Sequence, residues 1–149
     1  MANITITNSN PVTGALILDD HGHTHAKKKE TIVWILKPGC GVGSIVEIAM
    51  SPSPPYPAST NIFSTGPHRV GSSTNWSAVV SNTAPVFSEY NYFIRWVPTT
   101  GGDPKTYDPK ISIMPSTFFS IQRVVGFILA IFMACAAAIL FTKKRKKKK

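Results

Sequence analysis

The chain has 149 residues, a net charge of +9 and a pI near 9.8. The basicity belongs to the tail: Lys143, Lys144, Arg145, Lys146, Lys147, Lys148 and Lys149 run consecutively, whereas residues 1–115 carry eight Lys/Arg against seven Asp/Glu. That apportionment removes a basic face for specific nucleic-acid recognition and leaves only salt-sensitive phosphate contacts at the tail. The two cysteines, Cys40 and Cys135, supply no disulfide framework.

The opening MANITITNSN has neither a basic nor an apolar leader region, so no secretory signal is read there. From there to residue 114, short β-branched and aromatic runs alternate with Pro, Gly, Ser, Asn and Thr clusters. The pattern predicts strands over 4–7, 15–19, 31–36, 44–49, 75–80, 89–97 and 110–114, with a short one at 61–63. In the longest, Tyr90, Tyr92, Ile94 and Trp96 share one face, while Asn91 and Arg95 flank Phe93 on the other. Lys37-Pro38-Gly39 and Thr100-Gly101-Gly102-Asp103-Pro104 read as turns, because Gly supplies positive φ and Pro fixes its own. Residues 51–60 hold four prolines, which excludes both a helix and a central strand. About seven short strands with this punctuation predict one antiparallel β-sandwich domain over 1–115. Trp34, Trp76 and Trp96 then fall on inward positions as core.

Among candidate chemistries, His21-Gly22-His23-Thr24-His25 is the most specific. Alternate residues of an extended segment project to one side, so His21, His23 and His25 would converge on Cu(II), Ni(II) or Zn(II), with Asp19 and Asp20 adjacent. Gly22 and the following Lys27-Lys28-Lys29 suggest instead a solvated hairpin tip. His68 lies in a Gly66-Pro67-His68 turn with Ser64, Ser72 and Ser73 nearby, but no nucleophile-elbow pattern accompanies them. The carboxylates are dispersed and form no acid–base pair. A non-enzymatic chain with no cofactor is the expectation.

Three segments resemble the cupredoxins and small bacterial plastocyanin-like proteins: KKKETIVWILKPG, NIFSTGPHRVGSSTNWSAVV, and EYNYFIRW followed by YDPKISI. The resemblance covers roughly residues 27–114 and implies a cupredoxin- or Ig-like sandwich. It implies no copper site, because the intervening VPTTGGDPKTYDP holds none of the Cys, His and Met ligands expected of that loop.

Residues 116–123 then lead into VVGFILAIFMACAAAILF at 124–141, eighteen residues without a charge. A helix of that length spans about 27 Å, close to the hydrocarbon thickness of a bilayer. The expectation is a single transmembrane helix, stopped by the tail 142–149 at anionic headgroups, where each basic residue contributes about 1 kcal/mol. The positive-inside rule puts that tail in the cytoplasm and residues 1–115 outside. The reading is therefore a membrane-anchored sandwich whose loops meet an unidentified protein or ligand. The alternatives are metal handling by His21, His23 and His25, and a surface protein whose C-terminal region is a sorting signal.

Overall fold

A computed structural model describes residues 1–51 and 61–115. The predicted segments 116–123, 124–141 and 142–149, and nearly all of the proline-rich excursion, lie outside the described residues. Among the described residues no helix is long and apolar enough to cross a membrane.

The described chain is built from strands: β1 (Ala2–Ser9), β2 (Leu16–Leu18), β3 (His23–Lys27), β4 (Thr31–Leu36), β5 (Val42–Met50), β6 (Phe63–Arg69), β7 (Trp76–Val80), β8 (Ser88–Pro98), β9 (Lys105–Tyr107) and β10 (Lys110–Met114). They form two sheets, ordered β2-β1-β4-β7-β6 and β3-β10-β8-β5, with β9 added to β8. The antiparallel expectation is corrected here. β1 runs parallel to β4, and β3 runs parallel to β10, so both sheets are mixed. The cause lies in the connections: after the β1–β2 pair the chain changes sheet to form β3, then returns to lay β4 alongside β1. A return by crossover, unlike a tight hairpin, permits parallel pairing.

One apolar core joins the two sheets. Ile4, Ile6, Ile32, Trp34, Ala78 and Val80 come from the first; Tyr90, Tyr92, Ile94, Trp96, Ile111 and Ile113 come from the second. The alternation of β8 thus buries the four residues its sequence placed on one face. The polar ends of the large aromatics are satisfied within the core. Trp34 Nε1 donates to Tyr92 Oη at 3.2 Å, with the rings edge-on at 5.8 Å, and Trp96 Nε1 donates to the Gly14 carbonyl at 3.2 Å. Burial pushes the Tyr92 phenol far above its ordinary pKa, so it serves as a neutral hydrogen-bonding group at any physiological pH. Among the described residues no buried side-chain N or O lacks a hydrogen-bond partner.

Candidate functional site: a histidine face on the second sheet

The residues 21–25 are not a hairpin tip. β2 belongs to the first sheet and β3 to the second, so His23 and His25 lie on an edge strand that pairs only with β10 among the described strands. β3 buries Thr24 and Ala26 and turns His23 and His25 outward. Their ring centroids are 4.7 Å apart. His21 stands apart in the preceding turn, at φ +57, with its N–H donating to the Leu18 carbonyl.

The turn itself explains why the strand begins where it does. Asp20 Oδ1 accepts the Gly22 N–H at 2.9 Å, and its other oxygen takes the hydroxyl of buried Thr24. A threonine is thereby tolerated inside the core, because its only polar group is paired. Asp19 Oδ1 accepts the Thr5 N–H at 2.7 Å and ties the end of β2 to β1. Both carboxylates are therefore engaged by local structure rather than turned toward the imidazoles.

What faces the imidazoles comes from β10 and β8. Register places Lys110 beside His23 and Ser112 beside His25, and across β10 it sets Ser112 against Glu89. Ser112 Oγ lies 2.8 Å from His23 Nε2, and Glu89 Oε2 is 3.4 Å from the same nitrogen. Lys110 Nζ donates to Glu89 Oε1 at 2.7 Å. The Lys110 hydrogen bond holds the Glu89 carboxyl below its ordinary value. The cluster is therefore a carboxylate bridged between an ammonium and an imidazole, with a hydroxyl beside it. Ser112 and Glu89 share one ring nitrogen, whereas a hydrolytic triad needs the acid on the opposite nitrogen from the nucleophile.

Among the described residues no group of three or more His, Cys, Asp and Glu side chains is arranged to hold a metal ion. Of the three predicted ligands, contacts bring together His23 and His25. Glu89, Lys110 and Ser112 were missed by sequence reasoning. Their outward placement was implicit in the alternation of 89–97 and 110–114, but the neighbouring strand β3 was not foreseen.

The other sequence candidates resolve differently. Gly66, Pro67 and His68 lie within strand β6 rather than in a turn, at a point where the register with β7 shifts. His68 has its Nε2 3.4 Å from Ser77 Oγ and its Nδ1 3.0 Å from the Gly66 carbonyl. A carbonyl occupies the position that a triad gives to a carboxylate. Cys40 is buried, and its carbonyl accepts the Ser9 hydroxyl at 2.8 Å; it fills core as a small apolar side chain.

No protein-family model matches this chain, and neither does any curated protein sequence.

Proposed function

We propose that this chain is a non-enzymatic β-sandwich module that displays a binding or structural surface from a membrane, held there by the apolar run 124–141. The observation that carries the reading is the contrast within residues 1–115. The interior is closed and internally hydrogen-bonded, while the side chains with chemistry to offer lie on the outward face of β3, β10 and β8. A rigid sheet presenting His23, His25, Glu89, Lys110 and Ser112 suits recognition, because the strands fix side-chain spacing before a partner arrives. The finer likeness to a cupredoxin- or Ig-like sandwich belongs to this proposal, and so does the outside placement of the domain. A second reading, metal handling, is favoured by the His23–His25 pair alone.

Fractionation of the full chain and of a truncation at Pro115 tests the anchored reading. The full chain should stay with the membrane through alkaline carbonate extraction. Residues 1–115 should appear in the soluble fraction with a β-type circular dichroism spectrum and a cooperative thermal transition. Full-length protein released by carbonate would refute the anchor, and an unfolded truncation would show that residues 116–149 are part of the fold.

A further inference from the structure

We propose that the outer face of the first sheet packs face to face against the same face of a second copy of this chain. This surface lies on the opposite side of the domain from the histidine cluster. The proposal goes beyond the reading above and does not depend on the membrane anchor.

Charge distinguishes the two sheets. Among the described residues, strands β2, β1, β4, β7 and β6 hold one formally charged side chain, Arg69 at the end of β6. The strands of the second sheet, β9 included, hold six: Lys27, Glu47, Glu89, Arg95, Lys105 and Lys110. A sheet with one solvated face ordinarily sets apolar residues inward and polar or charged ones outward, as the second sheet does. The first sheet turns β-branched residues outward instead. Ile32 and Trp34 point into the core, so Thr31, Val33 and Ile35 of β4 point away from it, and by the same alternation so do Thr5 of β1 and Val79 of β7. Register sets Thr5 beside Ile35 and Val79 beside Thr31. Hydroxyls along this side turn back to the sheet: Thr7 Oγ1 donates to the Ile17 carbonyl at 3.0 Å, and Ser64 Oγ to the Val79 carbonyl at 3.3 Å. The middle of the face therefore offers carbon rather than charge, and an ionic partner finds no counter-charge there.

A second copy meets the requirements of such a face. A two-fold axis brings each central residue near its own counterpart, so a central charge would repel itself; the central strand, β4, carries none. Charge reappears at the two margins with opposite sign. Asp19 follows β2, its Oδ1 accepting the Thr5 N–H, and Arg69 ends β6, its Nε donating to the Ser73 carbonyl at 2.6 Å. β2 and β6 are the outer strands of the sheet. With the two-fold axis along β4, the β2 margin of one copy lies over the β6 margin of the other. The acidic margin then meets the basic one twice in the pair, which favours this arrangement over wrong partners.

The size of the face sets the strength of the pair. Five strands about 4.8 Å apart, averaging about six residues at 3.3 Å each, make a face of roughly 500 Å². Two copies bury about 1,000 Å², the lower limit for a specific interface, so the dimer is weak and forms at micromolar concentrations or above. Packed sheets hold their strands within about 30° of one another and lie about 10 Å apart, a gap that Val, Ile and Thr side chains fill.

The test uses the full chain with Cys135→Ala in mild detergent. One reporter cysteine is placed at Ile35→Cys on the proposed face, or at Glu47→Cys on the exposed side of β5. Buried Cys40 is common to both. At about 100 μM chain, oxidation should link Ile35→Cys into a disulfide dimer, dilution to about 1 μM should cut its yield at least tenfold, and Glu47→Cys should stay monomeric. Adding Val33→Lys or Val33→Glu should each cut the Ile35→Cys dimer at least tenfold. Mixing those two variants should restore it, because opposite charges then meet across the axis, and restoration shows that both are folded. Equal linkage at 35 and 47, or linkage that ignores a charge at 33, would assign the association to another part of the chain and overturn the proposal. Variants that circular dichroism shows folded but that stay apart when mixed would overturn the two-fold arrangement. An Ile35→Cys that reacts with maleimide in urea but not in dilute native protein would show the face to be covered within a single chain, and would overturn the proposal as well.

Discussion

Gly22 and Phe87 both occupy the left-handed backbone region, at φ +79 and +57, and their surroundings dictate opposite responses to substitution. Gly22 opens β3: its N–H reaches Asp20, its carbonyl accepts the Lys110 N–H at 2.8 Å, and an added Cβ would lie 2.8 Å from Tyr107 Oη. Gly22→Ala should therefore destabilise the domain by about 1–2 kcal/mol, chiefly through the backbone, since the phenol can swing aside. At Phe87 the left-handed conformation is borne by a large, exposed side chain. Phe87→Gly removes that cost and should raise stability by up to about 1 kcal/mol, offset in part by the greater freedom of Gly in the unfolded chain. Urea unfolding of residues 1–115 reads both. A Phe87→Gly variant that loses more than about 1 kcal/mol would make the ring a structural element, because exposed substitutions elsewhere change little.

At the scale of elements, β3 decides how the histidines behave. As the outer strand of its sheet it presents His23 and His25 side by side and leaves His21 in a turn. If this chain binds a divalent cation, the adjacent pair should carry the affinity. Titration of Cu(II) or Zn(II) by calorimetry should then lose its binding heat in His23→Ala, His25→Ala and remain nearly unchanged in His21→Ala. Equal losses from all three would restore the three-histidine site, and no heat below about millimolar metal would end the metal reading. The sequence made much of this region legible and hid one part of it. Strand β4 and strand β10 coincide with their predicted spans because β4 is an unbroken run of β-branched and other large apolar residues, and β10 alternates isoleucine with outward-facing residues. β3 was hidden because its inward positions are Thr24 and Ala26, which give no apolar signal. Thr24 is acceptable inside only through Asp20, and that bond depends on the turn forming. β9 is three residues long and follows two glycines, so its pairing with β8 comes from tertiary contact rather than from its own pattern. Both parallel pairings lay equally out of reach, since they join strands that are far apart in sequence.

For the whole molecule, charge flanking the apolar run should fix the direction of insertion. Arg123 is the one basic residue in the segment 116–123, whereas seven Lys/Arg follow at 143–149. Lysines 27–29 lie too far upstream in sequence to count, because orientation responds to Lys/Arg within about 15–20 residues of the membrane-spanning ends. On the anchored reading proposed above, the tail would set which side it remains on, and lysines 27–29 would have no part in that choice. Two cysteine reporters in a Cys135→Ala background test this, one at Val12, 88% exposed, and one appended after Lys149. With intact cells and a membrane-impermeant maleimide, Val12→Cys should react and the C-terminal cysteine should not. Neutralising 143–149 should give mixed labelling without loss of insertion, since the apolar run supplies the driving force. Neutralising 27–29 should leave the labelling pattern as it was. Reaction at the C-terminal cysteine alone in the unaltered chain would place the domain on the cytoplasmic side and overturn the outside placement, because the seven basic residues would then have crossed the membrane against the Lys/Arg imbalance.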